Sequence, residues 1–266
     1  MFTQFQTLSP VTFYRRLGTG RSKPLIVECV NPTTEDKQVC VLKPTASMEL
    51  GVKVVMTEYL GYQLAVALGM PVPAPCIIDI PIDFAQSIPD PGTRQLLEQS
   101  VGLNFGTVMK TQGYTTYPID KPIPTEIFLA TVDAFAFDVL LQNPDRTKKN
   151  PNLLANEGEI VLLDLELAFS FVDDILARRA PADSLVAAKL TYMQDHVFYS
   201  GLRRKPINLN RFVGALGAIA PADIDGLRGL IPTPWRTGDV DPILQYLDHM
   251  VRNPNRIEQV VRELLA

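Results

Sequence analysis

The sequence predicts an α+β chain: a β-rich first part carrying one helix, followed by a mostly helical second part. Three observations carry that expectation. Apolar runs of strand length, joined by polar turns, fill much of the first hundred residues. A helical apolar period appears over about 48–68 and again over 125–141. From about residue 174 the chain reads as helices with breaks at Pro181, Pro206, Pro221 and Pro232.

Taken in order, Val11-Thr12-Phe13-Tyr14 reads as a strand before the short turn Leu17 to Ser22. Leu25 to Val30 and Gln38 to Lys43 are two further strands, joined as a hairpin by the polar turn Asn31 to Asp36. Val52, Val55, Met56, Tyr59, Leu60, Leu64 and Leu68 recur at helical spacing, so a helix is expected from about Met48 to Leu68, stopped by Gly69. Pro71, Pro73 and Pro75 hold the next segment extended before the strand Cys76 to Ile80. Residues 81–100 read as loop, and Val101 to Met109 as another strand.

Thr125 is the expected N-cap of a helix running to Leu141, apolar nearly all round and therefore buried. The polar loop Gln142 to Asn152 follows, then a second hairpin of Leu153 to Ala155 and Ile160 to Asp164. The boundary between the two parts is expected between 110 and 124.

Composition excludes several classes of function. Apolar residues make up 46 % of the 266, enough for a sizeable core. The net charge of −4 argues against nucleic-acid and membrane partners, which select basic surfaces. Arg178-Arg179 and Arg203-Arg204-Lys205 read as solvated surface. Cys29, Cys40 and Cys76 form no CxxC pair, so reduced thiols and a cytoplasmic location are expected. The first residues lack a secretory pattern, and no apolar run reaches the roughly 18 residues of a membrane span. Two histidines, His196 and His249, leave little for a zinc site or a Ser-His-Asp triad.

The chemistry-bearing residues lie around one loop. Asp145 and Asn150 are five apart in a loop held by Pro144 and Pro151, and Asp164 ends the apolar run that follows. Phosphoryl transfer needs a carboxylate to orient the attacking hydroxyl, and hard oxygen ligands for Mg²⁺. Asp145 suits the first role; Asn150 and Asp164 suit the second. These three residues are equally compatible with a turn, its cap and a strand end.

The first part supplies a matching half. Lys43 ends an apolar strand, and Glu58 lies in the helix with Val54, Gly61 and Ala65 as neighbours on its face. A carboxylate there needs a partner, and Lys43 is the natural one. The alternative is an edge-strand lysine and a surface carboxylate. Gly18, Thr19, Gly20 and Ser22 form a turn able to offer backbone N–H groups to phosphate, although such turns are common without that role.

Taken together these residues resemble the HipA-like kinases, in the compact single-module branch, with loop logic shared by the phosphatidylinositol kinases. The resemblance rests on Phe137 to Arg146, Asn150 to Leu154 and Ile160 to Phe169. In the first part it rests on Val41 to Pro44, Thr57 to Ala65 and Leu68 to Pro73, and in the tail on Ile231 to Trp235. It covers about residues 15–260.

The resemblance implies a two-lobed protein-kinase-like fold, with an N-lobe of residues 1–113 and a helical C-lobe of 114–266. It implies ATP and Mg²⁺ between the lobes. Lys43 would contact phosphate and Glu58 would hold it. Met109 and Lys110 would face the adenine, Asp145 would be the catalytic base, and Asn150 and Asp164 the metal ligands. By family analogy the substrate is a protein serine or threonine, in a translation-related protein, with an antitoxin or regulatory partner.

Two departures stand out. Thr147 occupies a position where related loops often carry His, and Leu165-Glu166 follows Asp164 where many kinases have Phe-Gly. The competing readings are a nucleotide-binding pseudokinase acting as a partner-binding module, a transferase of AMP, and a structural α+β protein. Phosphate on Thr19 or Ser22 would repel incoming ATP.

Overall fold

The computed structural model describes residues 2–18, 23–110, 113–119, 121–156 and 158–266. It is a mixed α+β structure with a β-rich N-terminal part and a helical C-terminal part. Strands β1 (Thr7–Arg16), β2 (Leu25–Val30) and β3 (Lys37–Lys43) form an antiparallel meander. Helix α1 (Val52–Ala67) follows, then β4 (Pro75–Ile80), two short helices α2 (Ile82–Gln86) and α3 (Pro91–Glu98), and β5 (Gly102–Val108). The sheet closes into a barrel in the order β1-β2-β3-β5-β4, with β1 and β4 parallel through Thr7↔Ile77 and Leu8↔Ile78.

Alternation in the sequence accounts for the barrel's interior. Leu25, Val27 and Cys29 lie two apart and are all fully buried, as are Cys40 and Leu42 on the neighbouring strand. Cys76, Ile78 and Ile80 complete the cluster, closed at one end by Phe84, Ile88 and Leu97. All three cysteines are free and buried.

Three sequence expectations need correction here. Helix α1 begins at Val52, not Met48, because Gly51 at φ +62 turns the chain immediately before it. Residues 81–100 are not loop. Asp90 caps α3 by accepting from the Thr93 N–H at 2.7 Å, with Pro91 in its first turn. That Asp-Pro start signal was present, but the short amphipathic helix gave too little period to be noticed. Thr125 does not cap: a 3₁₀ turn at Thr125–Ile127 leads into α4 (Phe128–Leu141) with no side-chain hydrogen bond at its start.

Beyond β5 the chain forms β6 (Thr115–Thr116), α4, and the strands β7 (Leu153–Ala155) and β8 (Ile160–Leu162), in a small sheet ordered β6-β7-β8. Helices α5 (Ile175–Arg179), α6 (Tyr199–Leu202), α7 (Asn210–Gly217), α8 (Pro221–Leu230), α9 (Val240–Arg252) and α10 (Asn255–Leu265) complete it. Pro221 lies in the break between α7 and α8 and stands at the first position of α8.

Two helices hold the site and both are buried on all sides. Every residue of α4 from Thr131 to Leu141 is buried, and every residue of α1 from Val54 to Ala65. Helix α1 joins the two parts of the chain. Its Tyr59 hydroxyl donates to the Leu230 carbonyl at 2.8 Å, while Trp235, from the C-terminal part, donates its indole N–H to Leu103 of β5 at 3.2 Å. Gly61 permits close approach to the segment after β8. A Cβ there would meet the Leu165 Cβ at 3.1 Å.

No helix is long and apolar enough to cross a membrane among the described residues.

Candidate active site

Lys43 ends β3, where the barrel faces α1. Its Nζ lies 2.6 Å from Glu58 Oε1, 3.0 Å from Asp164 Oδ1 and 2.9 Å from Glu166 Oε1. The sequence paired Lys43 with Glu58; the structure adds Asp164 and Glu166, which reach the same ammonium from beyond β8. Burial works against a charged lysine, but the carboxylates of Asp164, Glu58 and Glu166 outweigh it and hold the Lys43 pKa well above its ordinary value. Asp164 is shifted down: its burial is outweighed by Lys43 and by the Glu166 N–H.

Glu58 behaves differently because its side chain is fully buried. Burial pushes its carboxyl up to about 8 against the pull of Lys43, with the charges of Glu166 and Asp164 adding to the push. A carboxyl raised on folding holds its proton in the folded state while the unfolded chain has lost it. Stability therefore falls as pH rises from about 4.5 towards 8. Glu58→Gln should remove that slope. In thermal unfolding of the ligand-free protein, its melting temperature is expected to gain on the wild type between pH 5 and 8, and parallel curves would refute the assignment.

The loop after α4 is built on Asp138. Helix α4 ends with Gln142 in the left-handed region, and the Asn143 N–H returns to the Asp138 carbonyl at 2.9 Å. The buried Asp138 carboxylate accepts from Asn143 Nδ2 at 2.8 Å and from Arg146 Nε at 2.6 Å. The His196 ring is 3.1 Å away through Nε2. Because the Phe198 N–H donates to His196 Nδ1, the ring proton sits on Nε2 and points at Asp138. Arg146 also donates through Nη1 to the carbonyls of Asn152 and Leu163. One guanidinium therefore ties the loop to the segment after β8 that carries Asp164.

The sequence reading missed this Asp138–Arg146–His196 group. Its signal was Asp138 inside a mostly apolar helix, which in a buried helix demands partners. Thr147 turns the loop by accepting the Asn150 N–H at 3.2 Å, and it bridges to His196 through the backbone. A histidine thus does reach this loop, from a distant part of the chain.

Asp145 Oδ2 accepts from Asn150 Nδ2 at 2.8 Å and Asn152 Nδ2 at 2.9 Å, which fixes the carboxylate plane. Asp164 and Asn152 both have positive φ, as do Gln142 and Phe169 nearby. Such conformations cost on the order of 1 kcal/mol each and gather at functional sites.

Two cavities meet at these residues. One, about 570 Å³, is lined by Ser47 to Leu50, Asp145, Asn150, Asp164 and Glu166, among others. The other, about 260 Å³ and mostly apolar, is lined by Leu17, Val41, Tyr62, Phe105 and Thr107 together with Lys43 and Asp164. Asn150, Asn152 and Asp164 line both. Met109 and Lys110 follow β5; the Met109 N–H is taken up by the Val39 carbonyl at 2.8 Å. Gly18 is described and open to solvent space, while Thr19, Gly20 and Ser22 lie outside the described residues.

A family model described as HipA-like kinase matches residues 11–211, three-quarters of the chain and every candidate residue. The chain belongs to the HipA-like kinase family. No curated protein and no solved structure matches it. A HipA-like kinase in general uses ATP and a divalent metal. The donors present fit such a metal: a carboxylate at Asp164 and an amide at Asn150 are hard oxygen ligands of the kind Mg²⁺ prefers.

Proposed function

We propose that this HipA-like kinase transfers the γ-phosphoryl group of ATP to a serine or threonine hydroxyl of a protein, on a two-lobed kinase-like fold. The observation that carries the reading is the meeting of Lys43–Glu58, from the β-rich part, with Asp164 and the Asp145–Asn150 loop at one cleft. The N-lobe is residues 1–113 and the C-lobe 114–266. Pairing of β6 with β7 supports that boundary, because residues just past 113 already belong to the second sheet.

The adenine lies in the apolar cavity, against Val41, Tyr62 and Phe105, with the backbone of Met109 and Lys110 at its edge. By family analogy the turn of Gly18, Thr19, Gly20 and Ser22 would offer backbone N–H groups to the phosphates; of these only Gly18 lies among the described residues. Lys43 binds phosphate oxygen and Glu58 orients its ammonium. Asp164 and the Asn150 side-chain oxygen hold Mg²⁺, which when bound neutralises charge on the phosphates. Asp145 orients the acceptor hydroxyl and takes its proton in the larger cavity. A cytoplasmic, translation-related protein substrate and an antitoxin-like partner complete the reading by family analogy.

The deciding experiment is incubation of host lysate with γ-labelled or α-labelled ATP, comparing wild type with Asp145→Ala. Label from the γ position alone, lost in the variant, supports the reading. Label from the α position would assign AMP transfer, and no label with intact nucleotide binding would assign a pseudokinase. Asp164→Ala should abolish the Mg²⁺ dependence of ATP affinity in calorimetric titrations; an unchanged dependence would remove Asp164 from the metal site.

A further inference from the structure

Three acidic side chains crowd Lys43. An ammonium has three N–H donors, and Glu58, Asp164 and Glu166 all lie within 3.0 Å of it. Glu58 and Asp164 take two of those donors by hydrogen bonds, and Glu166 Oε1, in ion-pair contact at 2.9 Å, occupies the ammonium's surface where a phosphate oxygen would have to come. One carboxylate must leave before phosphate can reach Lys43.

The geometry identifies which. Glu58 is fully buried in α1 and hydrogen-bonded to Lys43 at 2.6 Å. Asp164 Oδ1 is additionally held by the Glu166 N–H at 3.3 Å. Glu166 differs from both: its contact with Lys43 is an ion pair without hydrogen-bond geometry at Oε1. Its backbone is anchored separately, since the Thr57 hydroxyl donates to the Glu166 carbonyl at 2.9 Å, so its side chain alone needs to move. Glu166 also borders a second cavity of about 190 Å³, shared with Lys53 and Thr57. A displaced carboxylate has room there beside Lys53, whose ammonium it would share with Asp173.

We propose that Glu166 is a counter-ion latch: it holds Lys43 in the nucleotide-free protein and withdraws to admit phosphate. It is a positioning residue, acting through Lys43, at a position where many kinases have glycine. The inference rests on the ATP reading above. Its consequence is an apparent nucleotide affinity reduced by the fraction of molecules in which the latch is closed.

The test is calorimetric titration of ADP and of inorganic tripolyphosphate, without metal, into wild type, Glu166→Gln and Glu166→Asp. A latch closed in nine molecules of ten gives roughly tenfold tighter binding of both ligands by Glu166→Gln. Glu166→Asp, which keeps the charge, should return towards the wild-type affinity. The Michaelis constant for ATP should fall in Glu166→Gln in parallel. A merely structural role would instead lower the melting temperature and weaken binding.

Equal or weaker binding by Glu166→Gln, in a protein whose wild type binds nucleotide, overturns the latch alone. If no form binds ATP with or without Mg²⁺, the ATP reading falls and takes the latch with it.

Discussion

Asp145→Ala is expected to lower phosphoryl transfer by about 10²–10⁴ while leaving nucleotide affinity within about twofold. The asymmetry follows from where the residue sits. Asp145 lines the larger cavity but not the apolar one. Its carboxylate is held by Asn150 and Asn152, which do line the apolar cavity. Truncation to alanine therefore also releases two amides. Asp145→Asn is the better-matched variant, because its oxygen can still accept from both while it can no longer accept a proton. The two variants should lose turnover alike, and Asp145→Asn should preserve ADP·Mg²⁺ affinity more closely. Initial rates from γ-labelled ATP and calorimetry with ADP measure the two quantities. Full turnover in Asp145→Asn would remove the residue from its role as base.

Which parts of this site could be read in the sequence depended on how local the determining contacts are. Strands β2 and β3 and the second hairpin were legible because alternation and polar turns are local signals. Lys43 and Glu58 were legible as a pair because a buried carboxylate in an apolar helix demands a cation, and few were near. Glu166 was not, because it reaches Lys43 across 123 residues of sequence, and its alternation beside Leu165 and Leu167 reads as ordinary strand-end polarity. Asp138 and His196 are separated by 58 residues and were hidden for the same reason. The closed barrel was also out of reach: β1 pairs with β4 through only two residue pairs, and no strand pattern announces a parallel closure of that kind. Helices α2 and α3 were missed because a helix of five or eight residues has too few turns to display a period, leaving the Asp90-Pro91 cap as their main mark.

The other large effect is on stability. Arg146→Ala should cost about 3–5 kcal/mol, the usual consequence of removing one partner of a buried ion pair. Neither Arg146 nor Asp138 has any exposed side-chain surface. Without the guanidinium, Asp138 retains Asn143 and His196 but keeps an uncompensated charge, and the carbonyls of Asn152 and Leu163 lose their shared donor. Arg146→Lys should rescue little, since an ammonium does not span a carboxylate and two carbonyls as a planar fork does. The pH dependence distinguishes this from loss of packing. In the wild type, burial pushes Asp138 up, but Arg146 and His196 outweigh it, so its folded pKa lies below the ordinary value of 3.8. That contribution is fully present above the unfolded value and is lost as pH falls through the folded one. Removing Arg146 leaves burial to raise the Asp138 pKa, so the deficit of the variant should be largest near neutral pH and shrink on acidification. Urea unfolding at pH 7 and pH 4.5 measures it as a shift in midpoint at constant slope. The double variant Arg146→Ala/Asp138→Asn should recover part of the stability by discharging the orphaned carboxylate. It should not recover phosphoryl transfer, because the link from the Asp145 loop to the segment after β8 that carries Asp164 would still be missing. Recovery of both together would mean that Arg146 matters only as a counter-charge and not as the tie between the two halves of the site.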